Sequence, residues 1–363
     1  MEKNQIMMIH GRDYADMTCR LLEEAGLQEL VPDRHARIGI KPNLVVAAEA
    51  SGGATTHPEI VEGVVRYLQD RGYDNFCILE GSWVGDRTKR AYQVSGIGAV
   101  ARKYGVDLLD LQTDTGTQKT VQGFPLTICD QALALDFLIN LAVLKGHCQT
   151  VMTCALKNHK GLIPNSEKRR FHTLGLHRPI AYLAAAFPNE LIVVDNICGD
   201  LDFEEGGNPV VMDRILCGRD PVLMDAFACQ VLGCDVEEVP YISLAEQLGV
   251  GSADVGAAEV IALNGGAAAA PGRPTGRVRE LAAYTAPRDA CSACYGMLIH
   301  ALDKLERQDE LWGHREKIGI GQGYRGKCGA IGVGRCTADF DRSLSGCPPT
   351  AAEMLAFLKG NWQ

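Results

Sequence analysis

Phe137-Leu-Ile-Asn-Leu-Ala-Val-Leu144 is a nearly unbroken apolar run. A strand with one face in water alternates apolar and polar residues. A run without alternation is the mark of a strand covered on both faces, as in a parallel sheet flanked by helices. Working outward, Arg37-Ile-Gly-Ile-Lys41, Phe76-Cys-Ile-Leu79, Val106–Leu111 and Leu191-Ile-Val-Val-Asp195 are further strand candidates. Helical stretches separate them. One starts at Pro58, which fits a first turn; Thr56 is expected to cap it, with Glu59 completing a capping box. Ile60, Val61, Val64, Val65 and Leu68 give this helix one apolar face, and Gly72 ends it. Another runs from Val222 to Leu232 with Asp220 as its cap. Alternating strands and helices predict an α/β fold, with a mainly parallel sheet and flanking helices, over residues 1–265. Gly265–Gly276 is rich in small residues, glycine and proline, so residues 266–284 read as a linker. Residues 285–363 read as a small cysteine-rich, glycine-rich C-terminal domain.

At 363 residues the chain is too long for one typical hydrophobic core. The net charge is −9, and the main basic cluster is the short Lys168-Arg169-Arg170. This argues against a nucleic acid or an anionic membrane surface as partner. The N-terminal residues have no apolar signal core and no cleavage site, and no apolar run approaches the ~18 residues of a membrane span. The expected compartment is the cytoplasm. There, fourteen cysteines are not a disulfide framework. Cys77, Cys217 and Cys229 lie in apolar segments and read as small buried hydrophobes.

The C-terminal cysteines sit instead among glycine, proline and charge. Cys291-Ser-Ala-Cys294 opens a helix, with Asp289 as expected cap and Met297, Leu298, Ala301, Leu302 and Leu305 as its apolar stripe. Free amides at a helix start favour thiolate over thiol and suit an anionic cluster. Cys336 and Cys347 form the second pair. Cys347 lies in Gly346-Cys-Pro-Pro-Thr350, where Thr350 and Glu353 make a capping box. A proline after a cluster cysteine recurs in ferredoxin-like ligation, and this string resembles the cluster-ligating segment of hydrogenase and complex-I small subunits. The four thiols meet the needs of a [4Fe-4S] cluster; zinc accepts the same ligands. Cys328 is the substitute for Cys336. Gly321-Gln-Gly323-Tyr-Arg-Gly326 matches a dinucleotide-binding pattern, but no helix or ribose-binding acid follows, so neither nicotinamide nor flavin is expected.

In the α/β body the densest chemistry follows Leu144: Lys145, His147, Thr150, Thr153, Lys157, Asn158, His159, Lys160, then His172 and His177. Ligands of α/β sheets bind at the carboxyl ends of strands. His147, Lys157, Asn158 and His172 are therefore the candidate catalytic residues, suited to acid–base, Schiff-base or metal work. Lys41, Asn43, Thr55, Thr56 and Asp225 are candidate ligand-binding residues. Hydroxyls ahead of a helix suit an anionic group, although the same turn reads equally as a cap with no ligand.

Taken together, Lys41-Pro-Asn-Leu44, Gly53-Ala-Thr-Thr-His-Pro58, Leu144-Lys-Gly-His147, Ala155-Leu-Lys-Asn158 with Gly161-Leu-Ile-Pro164, Val194-Asp195, and Gly218-Arg-Asp-Pro221 with Asp225 resemble the family called domain of unknown function 362. Members often carry ferredoxin-type cysteine motifs, which agrees with an anaerobic-type iron–sulfur protein. The resemblance implies fold and cofactor but no substrate. His147, Lys157 and His172 are also similar in order and spacing to the histidine, cofactor-bearing lysine and histidine of the nickel-pincer lactate racemase family. Here Ala155-Leu156 stand where that family has small glycines. This second likeness implies a substrate or cofactor site in the crevice. Three functions follow as expectations: an iron–sulfur protein with a small anionic ligand and a redox role, a racemase or epimerase, and a non-enzymatic electron carrier or cluster-assembly partner. The expected partners are a small molecule and an electron-transfer protein.

Overall fold

The structure is a computed structural model describing residues 1–265, 276–311, 313 and 316–362. It divides into two compact units: residues 1–168 with 177–273, and residues 169–176 with 274–363.

The first unit is built on an eight-stranded sheet. Its spatial order is Glu259–Ala262, Gln5–His10, Pro209–Gly218, Glu190–Asp200, Phe137–Val143, Ile38–Pro42, Phe76–Glu80 and Asp107–Asp110. From Glu190–Asp200 to Asp107–Asp110 every pairing is parallel. Pro209–Gly218 runs antiparallel to both its neighbours. Phe137–Val143 is buried at every residue, which is why its sequence shows no alternation. Pro58–Asp70 packs Ile60, Val61, Val64, Val65 and Leu68 into the core with Ile38, Ile40 and Leu141. Its cap differs from expectation. His57 is the N-cap residue and no side chain caps it. Thr56 is instead drawn into the sheet: its hydroxyl donates to the Leu141 carbonyl at 2.9 Å and accepts from the Asn43 amide at 2.8 Å. Asp220 caps its helix as expected, accepting from the Val222 and Leu223 amides.

In the second unit, Thr285–Pro287, Ile318–Ile320, Ile331–Val333 and Arg342–Leu344 pair in chain order, all parallel. Parallel neighbours normally need a crossover of a dozen or more residues. The last two connections here are shorter than that, and glycine makes them possible. A methyl group on Gly319, Gly329 or Gly332 would lie within 2.9 Å of the Phe340 ring. The ring fills the space that these glycines leave. Gly321 lies at φ +119°, and a methyl group there would meet the Arg288 carbonyl at 2.0 Å. A single 3-10 turn, Gln322–Tyr324, follows it. The G-x-G-x-x-G loop thus has no α-helix behind it, as the sequence implied.

Helices Ser292–Arg307 and Ala351–Asn361 belong to this unit. Asp289 does not cap the first; Cys291 occupies the N-cap position itself. The Thr350–Glu353 capping box is present on the second. Of the segment read as a linker, residues 266–275 lie outside the described residues, and Arg277–Ala282 forms a short helix. Among the described residues no helix is long and apolar enough to cross a membrane.

Candidate functional site

The carboxyl ends of the parallel strands carry a continuous buried polar network. Lys41, the last-but-one residue of its strand, donates to the Glu80 carboxylate and, at 3.1 Å, to both Asn158 Oδ1 and the Pro42 carbonyl. Asn43 Nδ2 donates to the same Asn158 Oδ1 at 2.9 Å. Asn158 Nδ2 in turn donates to Asn140 Oδ1 at 2.7 Å. Asn158 thus joins the end of strand Ile38–Pro42 to the middle of strand Phe137–Val143. Its own short helix, Ala155–Asn158, is positioned by Asp225, whose carboxylate accepts from the Ala155 and Leu156 amides. Burial pushes the Asp225 carboxyl up to about 7. Thr55 donates to the Ala48 carbonyl at 3.2 Å and stays on the loop that carries Thr56.

Lys145 extends the network. Its ammonium donates to Asn43 Oδ1, the Ala54 carbonyl and the Glu204 carbonyl. Burial pushes it down to about 8. The Glu204 carboxylate lies between His147 and Lys157: Oε1 accepts from Lys157 Nζ at 2.5 Å, and Oε2 stands 2.9 Å from His147 Nε2, without the alignment of a hydrogen bond. His147 Nδ1 accepts from the Gln149 and Thr150 amides, which fixes the proton of the neutral ring on Nε2. Burial, with Lys157 adding to it, pushes this histidine down to about 4. Burial opposes the charge of Glu204, but His147 and Lys157 outweigh it and hold the carboxyl well below its ordinary range.

His147, Lys157, Asn158, Lys41, Asn43, Thr56 and Asp225 are therefore brought together in one unit. His172 is not part of that network. It belongs to the second unit, where its Nε2 accepts from the Ser292 amide at 3.4 Å. The residues that tie the network together include several not among the candidates: Lys145, Glu204, Glu80, Asn140 and Lys168. Lys145 stands beside His147 in the same motif. Glu204 lies in an acidic, glycine-bearing stretch that reads as surface. The network is closed, with Lys41, Lys145, Lys157 and Asn158 all buried. A cavity of ≈ 260 Å³ opens instead at the amino ends of the strands, lined by Asp136, Phe137, Pro188 and Glu190 among others.

The second unit carries the C-terminal cysteines. Cys294 is the third residue of its helix. Burial pushes its thiol up to about 12, and the charges of Cys291, Cys336 and Cys347 add to the rise. The segments bearing Cys336 and Cys347 run side by side through Gly334 N–Leu344 O at 2.8 Å and Arg335 N–Gly346 O at 2.7 Å. A methyl group on Gly334 would come within 2.9 Å of Cys294 Sγ. Arg325, from the G-x-G-x-x-G loop, is pushed up by Cys336 first and also by Cys291 and Cys347. Cys328 is exposed and is not among the thiols that act on Cys294. Among the described residues no three His, Cys, Asp or Glu side chains form a ready-made metal centre.

A family model for Domain of unknown function (DUF362) matches residues 38–230, more than half of the chain. The chain belongs to this family. The matched stretch contains the whole strand-end network apart from its surroundings beyond residue 230. One relative of this DUF362 protein is the thylakoid-associated protein sll1697 of Synechocystis sp., 22% identical over 225 residues, covering 59% of this chain and 68% of that protein. Among solved structures, the lactate racemase apoprotein from Thermoanaerobacterium thermosaccharolyticum aligns at a TM-score of 0.34 and 16% identity. The alignment covers 64% of this chain and 58% of that one.

Proposed function

We propose that this DUF362 protein is an iron–sulfur protein whose second unit holds a [4Fe-4S] cluster on Cys291, Cys294, Cys336 and Cys347. One observation carries the reading: the segments bearing Cys336 and Cys347 run side by side, and Gly334, two residues before Cys336, packs against Cys294 Sγ. The surroundings fit an anionic group. Cys291 and Cys294 lie at a helix N-terminus, Arg325 supplies a cation at Cys336, and Gly334 gives room at Cys294. A bound cluster would supply one-electron transfer.

The first unit would contribute a site for a small anion at Lys157. Lys157 gives two ammonium protons to protein acceptors, Thr153 Oγ1 and Glu204, and has one left for an anion. A second reading, racemase or epimerase chemistry, rests on His147 and Lys157 sharing Glu204. Its third candidate, His172, belongs to the second unit, where Nε2 accepts from the Ser292 amide.

The test is anaerobic purification with iron and sulfide analysis and an EPR spectrum after reduction. The expected result is about four irons per chain. One zinc per chain and no iron would refute the cluster. An intact mass showing a modified Lys157 in protein from the native host would favour the second reading.

A further inference from the structure

Three residues outside both sites above form a chain of their own. His57 Nδ1 lies 2.8 Å from Asp195 Oδ2, and the same oxygen accepts the His57 amide at 2.7 Å. The other Asp195 oxygen accepts from the Ile197 amide at 3.1 Å. Asp195 therefore holds both the ring and the backbone of His57. The free face of the ring, Nε2, points to Cys198 Sγ at 3.9 Å. Asp195 and Cys198 sit on either side of the bulge in strand Glu190–Asp200. Without that bulge, strict alternation would send residues 195 and 198 to opposite faces.

We propose that Cys198, His57 and Asp195 form a reactive-thiol site that reduces a small hydroperoxide. A thiol, an imidazole within reach of it and a carboxylate orienting that ring are the parts of a thiol site in which the ring relays protons. Asp195 outweighs the opposing effect of burial and pushes His57 up to about 10, so the ring carries a proton to give at neutral pH. The reaction balances with these groups alone. The Cys198 sulfur attacks one peroxide oxygen; an S–O bond forms and the O–O bond breaks. Sulfur is oxidised by two electrons to the sulfenic acid. The departing hydroxide takes the Nε2 proton of His57 and leaves as water, and the emptied Nε2 takes the Cys198 S–H proton, so the ring ends as it began.

The substrate class follows from what faces the sulfur. Ala50 O lies 3.4 Å away and Ser51 O 3.8 Å. Two carbonyl acceptors receive the O–H groups of a hydroperoxide. They would repel the oxyanion of an acyl-transfer intermediate, which needs donors. The amides of Gly52 and Gly53 in that turn are already bonded to Glu49 and Ala50. Cys198 is only 4% exposed, which suits a two-oxygen molecule better than a large one.

The test is limiting hydrogen peroxide at neutral pH on the full-length protein, with dimedone trapping and peptide mass spectrometry. Cys77 is the internal control, because it is more exposed at 7% and has no histidine at its sulfur. Cys198 should be labelled well ahead of Cys77, and His57→Gln should slow its labelling at least about tenfold. Equal labelling of the two cysteines in the wild-type protein would overturn the proposal, and that comparison needs no variant. So would an unchanged Cys198 rate in a folded His57→Gln protein.

Discussion

Replacing Glu80 by glutamine isolates the charge of the strand-end network from its hydrogen bonds. Lys41 is wholly buried and donates to Glu80, Asn158 Oδ1 and the Pro42 carbonyl. In Glu80→Gln the last two acceptors remain and the amide oxygen offers a third. Only the anion is gone. Breaking a buried pair in this way costs about 3–5 kcal/mol. A second estimate bounds the loss independently. A buried ammonium without its anion escapes by shedding its proton, and at pH 7 that costs at most about 4.6 kcal/mol from the ordinary lysine value. The two agree. The second also gives a signature. In the variant the unfolded chain holds a lysine proton that the folded chain has lost, so stability rises with pH. The deficit relative to wild type should shrink by about 1.4 kcal/mol per pH unit between pH 7 and 9. Equilibrium urea unfolding at pH 7, 8 and 9, followed by far-UV circular dichroism, measures it. A deficit below about 1 kcal/mol, or one that does not change with pH, would mean that water reaches Lys41 and that the site is open.

At His147 the wild-type protein itself gains stability with rising pH. Its folded value is lowered to about 4 from 6.5, so its contribution is fully present above pH 6.5 and is lost as pH falls toward 4. The stability difference between wild type and His147→Gln should move by about 3 kcal/mol across that window in acid-titrated urea melts. Gly161→Ala would place a methyl group 2.0 Å from Glu80 Oε1 and 2.7 Å from Lys41 Cε. It should destabilise the fold by about 1–3 kcal/mol, read as a lowered urea midpoint. In the second unit, Cys294→Ala should abolish iron binding while Cys328→Ala leaves the iron content unchanged. Equal iron in both variants would separate the cysteines from the cluster.

The parallel half of the sheet was legible because burial on both faces leaves its mark residue by residue. Phe137–Val143 and Leu191–Val194 show it without any partner in view. Pro209–Gly218 was not legible. Its first three residues are exposed, and its inner half acquires meaning only between Gln5–His10 and Glu190–Asp200. The same holds for the site. Lys41, Asn43, Asn158 and His147 stand in strings that follow strands, so position alone singles them out. Glu204 is invisible to that reasoning, because nothing local shows that an acidic loop folds back over Lys145. His57 and Cys198 are 141 residues apart, and the bulge that aligns them is a property of pairing. Spacing also misleads. His172 follows Lys157 at a suggestive interval, yet it bonds to Ser292 in the second unit.

The four buried lysines are not equivalent, and the difference says where a ligand enters. An ammonium has three protons to donate. Lys41 and Lys145 each use all three on protein acceptors. They pin strand ends and loops together, and a ligand at either would have to displace a bond that holds the fold. Lys157 uses two, on Thr153 Oγ1 and Glu204, and Lys168 uses two, on the Gly81 and Ser82 carbonyls. Lys168 already takes the carbonyl oxygens of the turn after strand Phe76–Glu80. Lys157 has the histidine and the carboxylate beside it. Spare donor capacity and adjacent acid–base groups coincide only there. Replacing Lys157 should therefore weaken anion binding more than it weakens folding, and replacing Lys145 should do the reverse. Anion-induced shifts in melting temperature for Lys157→Met and Lys145→Met, set beside their unfolding midpoints, separate the two roles. The same loss of both quantities in both variants would make the lysines one structural set with no ligand site among them.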